Sequence, residues 1–362
     1  MEFALFYEIP VARPWDDASE HRAYKNVIEQ AVLADELGFH SFWTVEHHFL
    51  EEFSHCSAPE VLYGAIAAKT KKLRIGHGVR LLPFPYNHPI RVAESAAVLD
   101  LICDGRLEFG TGRSSTRAEL EGFGIDPDLT RALWREALDV VVGAWTNDEF
   151  SWHGEHFQIP PRRVLPKPLQ KPHPPLWVAT TSPESHEVAG QMGLGLLSFT
   201  VGVPPEELAD RIAMYRRGLE RTKAPYGTVN SRAATFTMVH CADTDDRAFA
   251  DAGESVEWYA KMGTKLISTV GLWQKEIAKE MPSYEYTRYL SELDTSFLTF
   301  DFLLETGACV VGSPRRCIET ARRYEAAGCD LLLCLVQPYK IPHEAVMRSI
   351  ELLGREVLPA FR

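Results

Sequence analysis

The chain has 362 residues, of which 45% are hydrophobic and 24% are charged, as in a globular protein with one large core or two smaller ones. Its formal net charge of -12 at pH 7 argues against a nucleic-acid partner, because neutralising phosphates requires a basic surface. The 7 cysteines form no C-x-x-C pair, and their odd number leaves at least one unpaired, which favours reduced thiols.

The two ends of the chain show no membrane or secretion signal. Residues 1–8 lack the basic region and the long apolar run of a signal peptide. Near the other end, the longest apolar run, at residues 331–336, is only as long as a strand. We therefore expect a soluble cytoplasmic protein that does not contact a membrane.

Short apolar runs alternate with amphipathic helical stretches along the whole chain. The runs predict eight strands, at residues 3–7, 41–45, 73–82, 107–110, 176–179, 194–199, 233–240 and 331–336. Helices are predicted at residues 19–37, 59–69, 88–102, 130–145, 183–192, 205–221, 245–262, 314–327 and 342–358.

Eight strands separated by helices indicate an α/β fold with a parallel sheet. Eight such units favour closure into a single (β/α)₈ TIM barrel domain over residues 1–362. An open doubly wound sheet is the alternative, although no G-x-G-x-x-G motif follows the first predicted strand.

Two insertions interrupt the alternation. After the fourth strand, residues 148–175 are rich in proline and predict a small hairpin followed by a stiff crossing. After the seventh strand, residues 263–308 are too long for a simple connection and contain one predicted helix, at 284–302. Long excursions in compact domains are usually functional lids or disordered segments, and we predict a lid here.

Barrel enzymes carry their working residues at the carboxyl ends of the strands. These ends lie at residues 8, 46–48, 77–80, 111–114, 180–185, 199–200 and 337. Their polar side chains and glycines are therefore the first candidates for a site.

One of these strand ends has the chemistry of a helix N-terminus that binds an anion. Ser182 is a good N-cap, Pro183 suits the first helical position, and Ser185 can reach free backbone N–H groups. Arg113, at the end of the neighbouring strand, could grip the same anion with its planar fork. Together they predict a phosphate site, provided that Glu184 points away; singly, they are a capped helix and a surface arginine.

The adjacent His47 and His48 suggest a metal site at first sight. Neighbouring residues on an extended strand point to opposite faces, however, and no ligand pair joins these histidines to suitable carboxylates. We therefore predict no metal. One histidine that faces a pocket as acid, base or hydrogen-bond donor is the favoured interpretation, with a structural histidine as the alternative.

An ordered set of short motifs resembles a known family. The motifs lie at residues 46–49, 82–83, 88–94, 99–100, 105–113, 182–185 and 311–318. In this order and register they resemble the bacterial luciferase-like flavin-dependent monooxygenases over nearly the whole chain. The resemblance implies a TIM barrel that binds reduced FMN (FMNH₂), which a separate flavin reductase supplies.

The resemblance also implies which residues hold the FMN phosphate. Arg113 and Ser185 would bind it, with help from the backbone of Thr181 and Ser182.

The flavin ring would be contacted by other strand ends. Gly78 and Val79 match the position where the family often has a non-proline cis peptide bond under the ring. Gly112 replaces the reactive cysteine of luciferase itself, so light emission is not expected. His47 matches the family's histidine beside the flavin C4a position and is the implied catalytic residue.

The implied reaction inserts one oxygen atom from O₂ into a small or medium organic substrate. Such an enzyme forms a C4a-hydroperoxyflavin, which decays if water or a stray proton reaches it, so the protein must exclude solvent and control one proton. His47 is the candidate for proton control and residues 263–308 for the cover, with Lys275 and Lys279 as possible positive charges over the cofactor.

Several alternatives stay open. The same superfamily supports hydride transfer by the deazaflavin F420, and a non-catalytic flavin-binding partner subunit is a further interpretation. Arg80 stands where the family has an aliphatic residue, and it suits either an anionic substrate or an outward salt bridge. Apolar residues on the helices at 59–69 and 89–102 fit a homodimer interface by analogy with the family.

Overall fold

The strands of the barrel are short, buried and parallel in the computed structural model of the chain, which describes residues 1–199 and 201–362. In chain order the strands are β1 (Glu2–Tyr7), β2 (Ser41–Thr44), β3 (Arg74–His77), β4 (Arg80–Leu81), β5 (Leu107–Gly112), β6 (Phe150–His153), β7 (Gln158–Arg162), β8 (Leu176–Thr180), β9 (Gly195–Ser198), β10 (Ala233–Cys241), β11 (Cys309–Gly312) and β12 (Leu331–Leu335).

The barrel closes through eight of these strands. The order of pairing is β1, β2, β3, β5, β8, β9, β10 and β12, and β12 pairs back onto β1. These are the eight strands that the alternating pattern predicts, and the (β/α)₈ TIM barrel is confirmed. The remaining prediction at a strand end, Thr200, lies outside the described residues.

Helices connect the strands and cover the barrel. They are α1 (Ser19–Leu37), α2 (Pro59–Ala67), α3 (Pro89–Ile102), α4 (Arg117–Gly122), α5 (Thr130–Thr146), α6 (Pro183–Gln191), α7 (Pro205–Leu219), α8 (Asp245–Glu276), α9 (Glu285–Leu290), α10 (Phe300–Thr306), α11 (Pro314–Ala326) and α12 (His343–Leu352). Among residues 1–199 and 201–362, every helix is too short or too polar to cross a membrane.

Three predicted elements differ in their bounds from the structure, and one strand was not predicted. The strand predicted at 73–82 is broken at residues 78–79 into β3 and β4. The strand that was not predicted is β11, which pairs in parallel with the carboxyl half of β10. The helix predicted at 245–262 continues to Glu276. The helix predicted at 342–358 ends as α12 at Leu352 and continues as a π-helical turn.

The helix predicted at 284–302 is wrong. This segment forms α9, a turn and the start of α10 instead. The reason is local, because the Asp294 carboxylate accepts hydrogen bonds from the backbone N–H of Ser296 at 2.9 Å and from its hydroxyl at 2.8 Å. Such side-chain bonds to a nearby backbone compete with helix formation.

Two tryptophans fill the lower interior of the barrel. Trp43 lies beside Gly76 and Trp177 beside Gly195, and a Cβ added to either glycine would lie 2.1 Å or 2.4 Å from the indole ring. The two indoles meet edge to face with ring centroids 5.5 Å apart. The 7 cysteines are all free and buried.

Candidate active site

His47 lies at the mouth of the barrel, just after β2, and its ring contacts two carboxylates. The Nδ1 atom lies 2.8 Å from Glu119 Oε1, and the Nε2 atom lies 3.6 Å from Glu8 Oε2. The imidazole is largely shielded from solvent, with 19% of its side chain exposed. This geometry suits a histidine that holds a proton rather than one that fills the core.

Glu119 is the carboxylate that orients His47, and the sequence did not single it out. It lies on α4, is fully buried, and accepts hydrogen bonds from the Ser114 and Thr116 hydroxyls at 2.8 Å and 2.6 Å. Thr116 is the N-cap of α4 and accepts a bond from the backbone N–H of Glu119. The T-x-x-E spacing is thus half of a capping box, which predicts a helix start but not the contact with His47.

The charges around His47 keep it protonated. Burial favours the neutral ring, but the negative charges of Glu119, Glu8 and Glu46 outweigh it and raise the pKa of His47 to about 9. Burial also opposes the charge of Glu119, yet His47 and the hydroxyl donors lower the pKa of that carboxyl. At neutral pH the pair is therefore an imidazolium and a carboxylate.

His48 and Arg80 belong to the outside of this site. His48 packs between aromatic rings, with its centroid 4.8 Å from that of Phe123, so the two histidines do not converge. Arg80 is buried and bound to Glu60 at 2.7 Å and to Glu46 at 3.4 Å. The structure therefore has a salt bridge at Arg80, although it is buried and not outward as that interpretation expected. Within the described part of the chain, no cluster of three or more His, Cys, Asp or Glu side chains could hold a metal.

The floor of the site is formed where β3 and β5 approach each other. The peptide bond between Gly78 and Val79 is cis, as the resemblance implies. A Cβ added to Gly112 would lie 2.5 Å from Val79 Cγ2, closer than real Cβ atoms come to other atoms. Close packing against Val79 therefore accounts for glycine at the position where luciferase has its cysteine.

Arg113 is a partly buried cation that has no ion pair among the residues the structure describes. Its guanidinium donates to the Thr130 hydroxyl at 3.1 Å and to the Ser283 carbonyl at 3.3 Å, and it lies 5.0 Å from the centre of the Tyr284 ring. An unpaired arginine in such a place is costly to desolvate. It is therefore ready to receive an anion.

The start of α6 stands level with Arg113. Strands β5 and β8 are neighbours, with Thr111 paired to Val178, so residues 113 and 180 lie at the same height along the barrel. The Ser182 side chain makes no cap hydrogen bond, and the Ser185 hydroxyl donates to the Ser182 carbonyl at 2.6 Å.

Two residues that the sequence did not suggest hold this helix start in place. Arg211 donates to the Thr181 carbonyl at 3.1 Å. His186 is buried, and its ring nitrogens lie 2.9 Å from the Ser182 carbonyl and 2.9 Å from the Ser198 hydroxyl. Burial lowers the pKa of His186 to about 4, so the ring is neutral. Glu184 is exposed, as a phosphate site at this end requires.

The insertion after β10, residues 263–308, is hydrogen-bonded to the loop that follows β5, on the same side of the barrel mouth as Arg113. The Tyr284 hydroxyl donates to the Ser114 carbonyl at 2.8 Å. The apolar side chains of this contact form a small separate core, made of Leu120, Ile125, Val270, Met281 and Tyr284. Lys279 pairs with Asp128 at 2.7 Å and Lys275 with Glu292 at 3.1 Å, so neither lysine reaches over the site.

Comparison with known proteins identifies the family to which this fold belongs. The model of the luciferase-like monooxygenases matches residues 1–331. The chain belongs to the luciferase-like monooxygenase family. It is 28% identical over 366 residues to the oxygenase component of the flavin-dependent trigonelline monooxygenase of Acinetobacter baylyi, which covers 100% of this chain and 96% of that protein.

Solved structures agree with this membership. The crystal structure of the monooxygenase RslO1 from Streptomyces bottropensis is similar with a TM-score of 0.82 at 25% identity, over 100% of both chains. An F420-dependent secondary alcohol dehydrogenase has a TM-score of 0.72 at 20% identity, over 100% of this chain and 99% of that one. The second likeness concerns the fold alone.

The residues at the mouth fit the phosphate-bearing flavin that luciferase-like enzymes use. Arg113 offers an unpaired guanidinium, and Ser182 offers a hydroxyl that is not used in capping. A helix N-terminus with a nearby arginine is suited to a phosphate. At the floor, the Val79 side chain packs against the bare backbone of Gly112.

Proposed function

We propose that the protein is the oxygenase component of a two-component monooxygenase, which takes FMNH₂ from a separate flavin reductase. It would use O₂ to insert one oxygen atom into a small or medium organic substrate. The observation that carries the proposal is the arrangement of Arg113 and the protonated His47–Glu119 pair at one end of the same barrel. The flavin-dependent relative of full length supports the choice of cofactor.

The phosphate would be held by side chains that are already in position. Arg113 would exchange its bonds to Thr130 and Ser283 for stronger, charge-assisted bonds to phosphate oxygens. Ser185, with Thr181 and Ser182, would complete the phosphate site at the start of α6. Gly78, Val79 and Gly112 would face the flavin ring. When bound, reduced FMN supplies the electrons that activate O₂.

His47 would act as the proton-controlling residue. The ring donates from Nδ1 to Glu119, which leaves the Nε2 proton as the one that can be delivered or withheld. The insertion at 263–308 would serve as the lid that excludes water, because its Tyr284 is fastened to the loop beside Arg113.

We further propose that two copies of the chain associate through α2 and α3. Both helices expose large apolar side chains: Val61 at 72%, and Val98, Leu101 and Ile102 at between 42% and 51%. Contiguous exposed apolar surface on a soluble protein marks an interaction site.

The cofactor can be tested by titrating the purified protein with FMNH₂ and with reduced F420 in the absence of oxygen, and then mixing each complex with O₂. We expect the protein to bind FMNH₂. We also expect the FMNH₂ complex to consume O₂ and the mixture with reduced F420 not to do so. Binding of reduced F420 without oxygen uptake would identify a hydride-transfer enzyme. Binding of FMNH₂ that is then oxidised by O₂ at the same rate as free FMNH₂ would identify a non-catalytic subunit.

A further inference from the structure

Glu8 is a buried carboxylate at the end of β1 that faces the interior of the barrel. Phe6, two residues earlier, shares this face, and its ring lies 5.4 Å from that of Phe236 on β10, two strands away around the barrel. The Oε1 atom of Glu8 accepts a hydrogen bond from the Tyr259 hydroxyl at 2.9 Å. The Oε2 atom is buried and has no hydrogen-bond partner in the described part of the chain.

An orphaned carboxylate oxygen in the interior needs an explanation. Leaving such an atom without a donor costs free energy, so native proteins rarely do it without a reason. No lysine or arginine pairs with Glu8 among residues 1–199 and 201–362, and the cation that faces Oε2 is His47, with Nε2 at 3.6 Å. A role limited to anchoring Tyr259 would use Oε1 and leave Oε2 unexplained.

We propose that Glu8, fixed by Tyr259, is a second positioning residue for His47 and the partner of its Nε2 proton. This inference rests on the proposed function, in which that proton is the one under control. With Glu119 on Nδ1 and Glu8 facing Nε2, only the doubly protonated ring can donate to both carboxylates. The two partners therefore fix the orientation of the ring as well as its charge.

The charges that face His47 come from three elements. Glu119 approaches from α4, Glu8 from the end of β1, and Glu46 from the segment that carries His47 itself. Tyr259 on α8 faces Glu8 and not the imidazole. Burial raises the pKa of Glu8 above its ordinary value; the charge of His47 and the Tyr259 hydroxyl reduce this rise, and the nearby charge of Glu119 adds to it.

The direct test is the pH titration of His47 by NMR in the cofactor-free protein, with labelled histidine, for wild type and Glu8→Gln. We expect the wild-type ring to titrate at about 9 and the variant at a pH lower by roughly one unit, a tenfold loss of proton affinity. Glu52→Gln is the matched control, because Glu52 accepts a bond from the Tyr339 hydroxyl at 2.6 Å but does not contact His47. It should leave the titration unchanged.

A second variant keeps the test decisive if Glu8→Gln does not fold. Tyr259→Phe retains the ring and frees Glu8 Oε1, so the titration of His47 should shift from its wild-type value. Unchanged titration of His47 in every folded variant of this pair would overturn the proposal. The outcome is separate from that of the proposed function, because a protein that does not bind FMNH₂ can still show coupling between Glu8 and His47.

Discussion

At the scale of single residues, the site contains two cations in opposite surroundings. One has no carboxylate partner among the described residues, and the other is surrounded by three carboxylates. Arg113 has no ion pair in the described chain, whereas His47 is faced by Glu119, Glu8 and Glu46. The first arrangement suits an anion that arrives from solution, and the second suits a proton that must not be lost. The two charges therefore call for different experiments.

Replacing Arg113 with methionine should weaken binding of FMN, because a guanidinium that is charged and partly buried makes strong bonds to phosphate. Loss of charged hydrogen bonds worth about 1.5–3 kcal/mol corresponds to a fall in affinity of roughly 10- to 150-fold. Arg355→Met, which removes a side chain that is 68% exposed and far from the mouth, is the control. Fluorescence titration with FMN measures both. Equal affinities would show that Arg113 does not hold the phosphate.

The elevated pKa of His47 should appear in the pH dependence of stability. Its folded pKa of about 9 lies above the ordinary value of 6.5, so its contribution is fully present below pH 6.5 and is lost as the pH rises to about 9. The stability difference between wild type and His47→Gln should therefore shrink over this window. Urea unfolding at several pH values measures it. His153→Gln, on the exposed hairpin, should show no such trend.

At the scale of secondary structure, the barrel was predictable, and the helices within the insertion at residues 263–308 were not. Buried parallel strands are short apolar runs, and the helices between them carry a clear period, so the sequence contains both signals. The turn at Asp294 and the extension of α8 depend on local side-chain bonds and on packing against Tyr284. Neither has a periodic signature.

The same limit applies to the site. Arg113 and Ser185 come shortly after predicted strands, so their positions in the sequence already marked them as candidate site residues. Glu119 and Tyr259 reach their partners across 72 and 251 residues of chain, so only the closed barrel brings them together.

The lid should suppress wasteful oxidation of the cofactor if it excludes water. Tyr284→Phe retains the ring over Arg113 but removes the hydroxyl bond to the Ser114 carbonyl. A lost neutral hydrogen bond of about 1 kcal/mol loosens the contact roughly fivefold. We expect more hydrogen peroxide per O₂ consumed, measured with a peroxide assay beside an oxygen electrode. Tyr289→Phe, on an exposed ring of α9, should leave the ratio unchanged.

At the scale of the whole molecule, the catalytic mouth and the apolar face of α2 and α3 are connected by β3. This strand lies between the two helices in sequence and ends at the cis bond between Gly78 and Val79. Glu60, on the first turn of α2, also holds Arg80 beside Glu46. An interface on these helices would therefore support the floor of the site from outside.

Placing a charge on that face should dissociate the proposed dimer. Val61→Glu buries a carboxylate in any interface that α2 forms, and an unpaired buried charge costs several kcal/mol. We expect a dimer for wild type and a monomer for the variant in sedimentation at micromolar concentration. Val188→Glu, on α6 with a similarly exposed valine, should stay dimeric. A wild-type monomer would refute the interface, whereas loss of FMN affinity in Val61→Glu would indicate that the interface supports the floor.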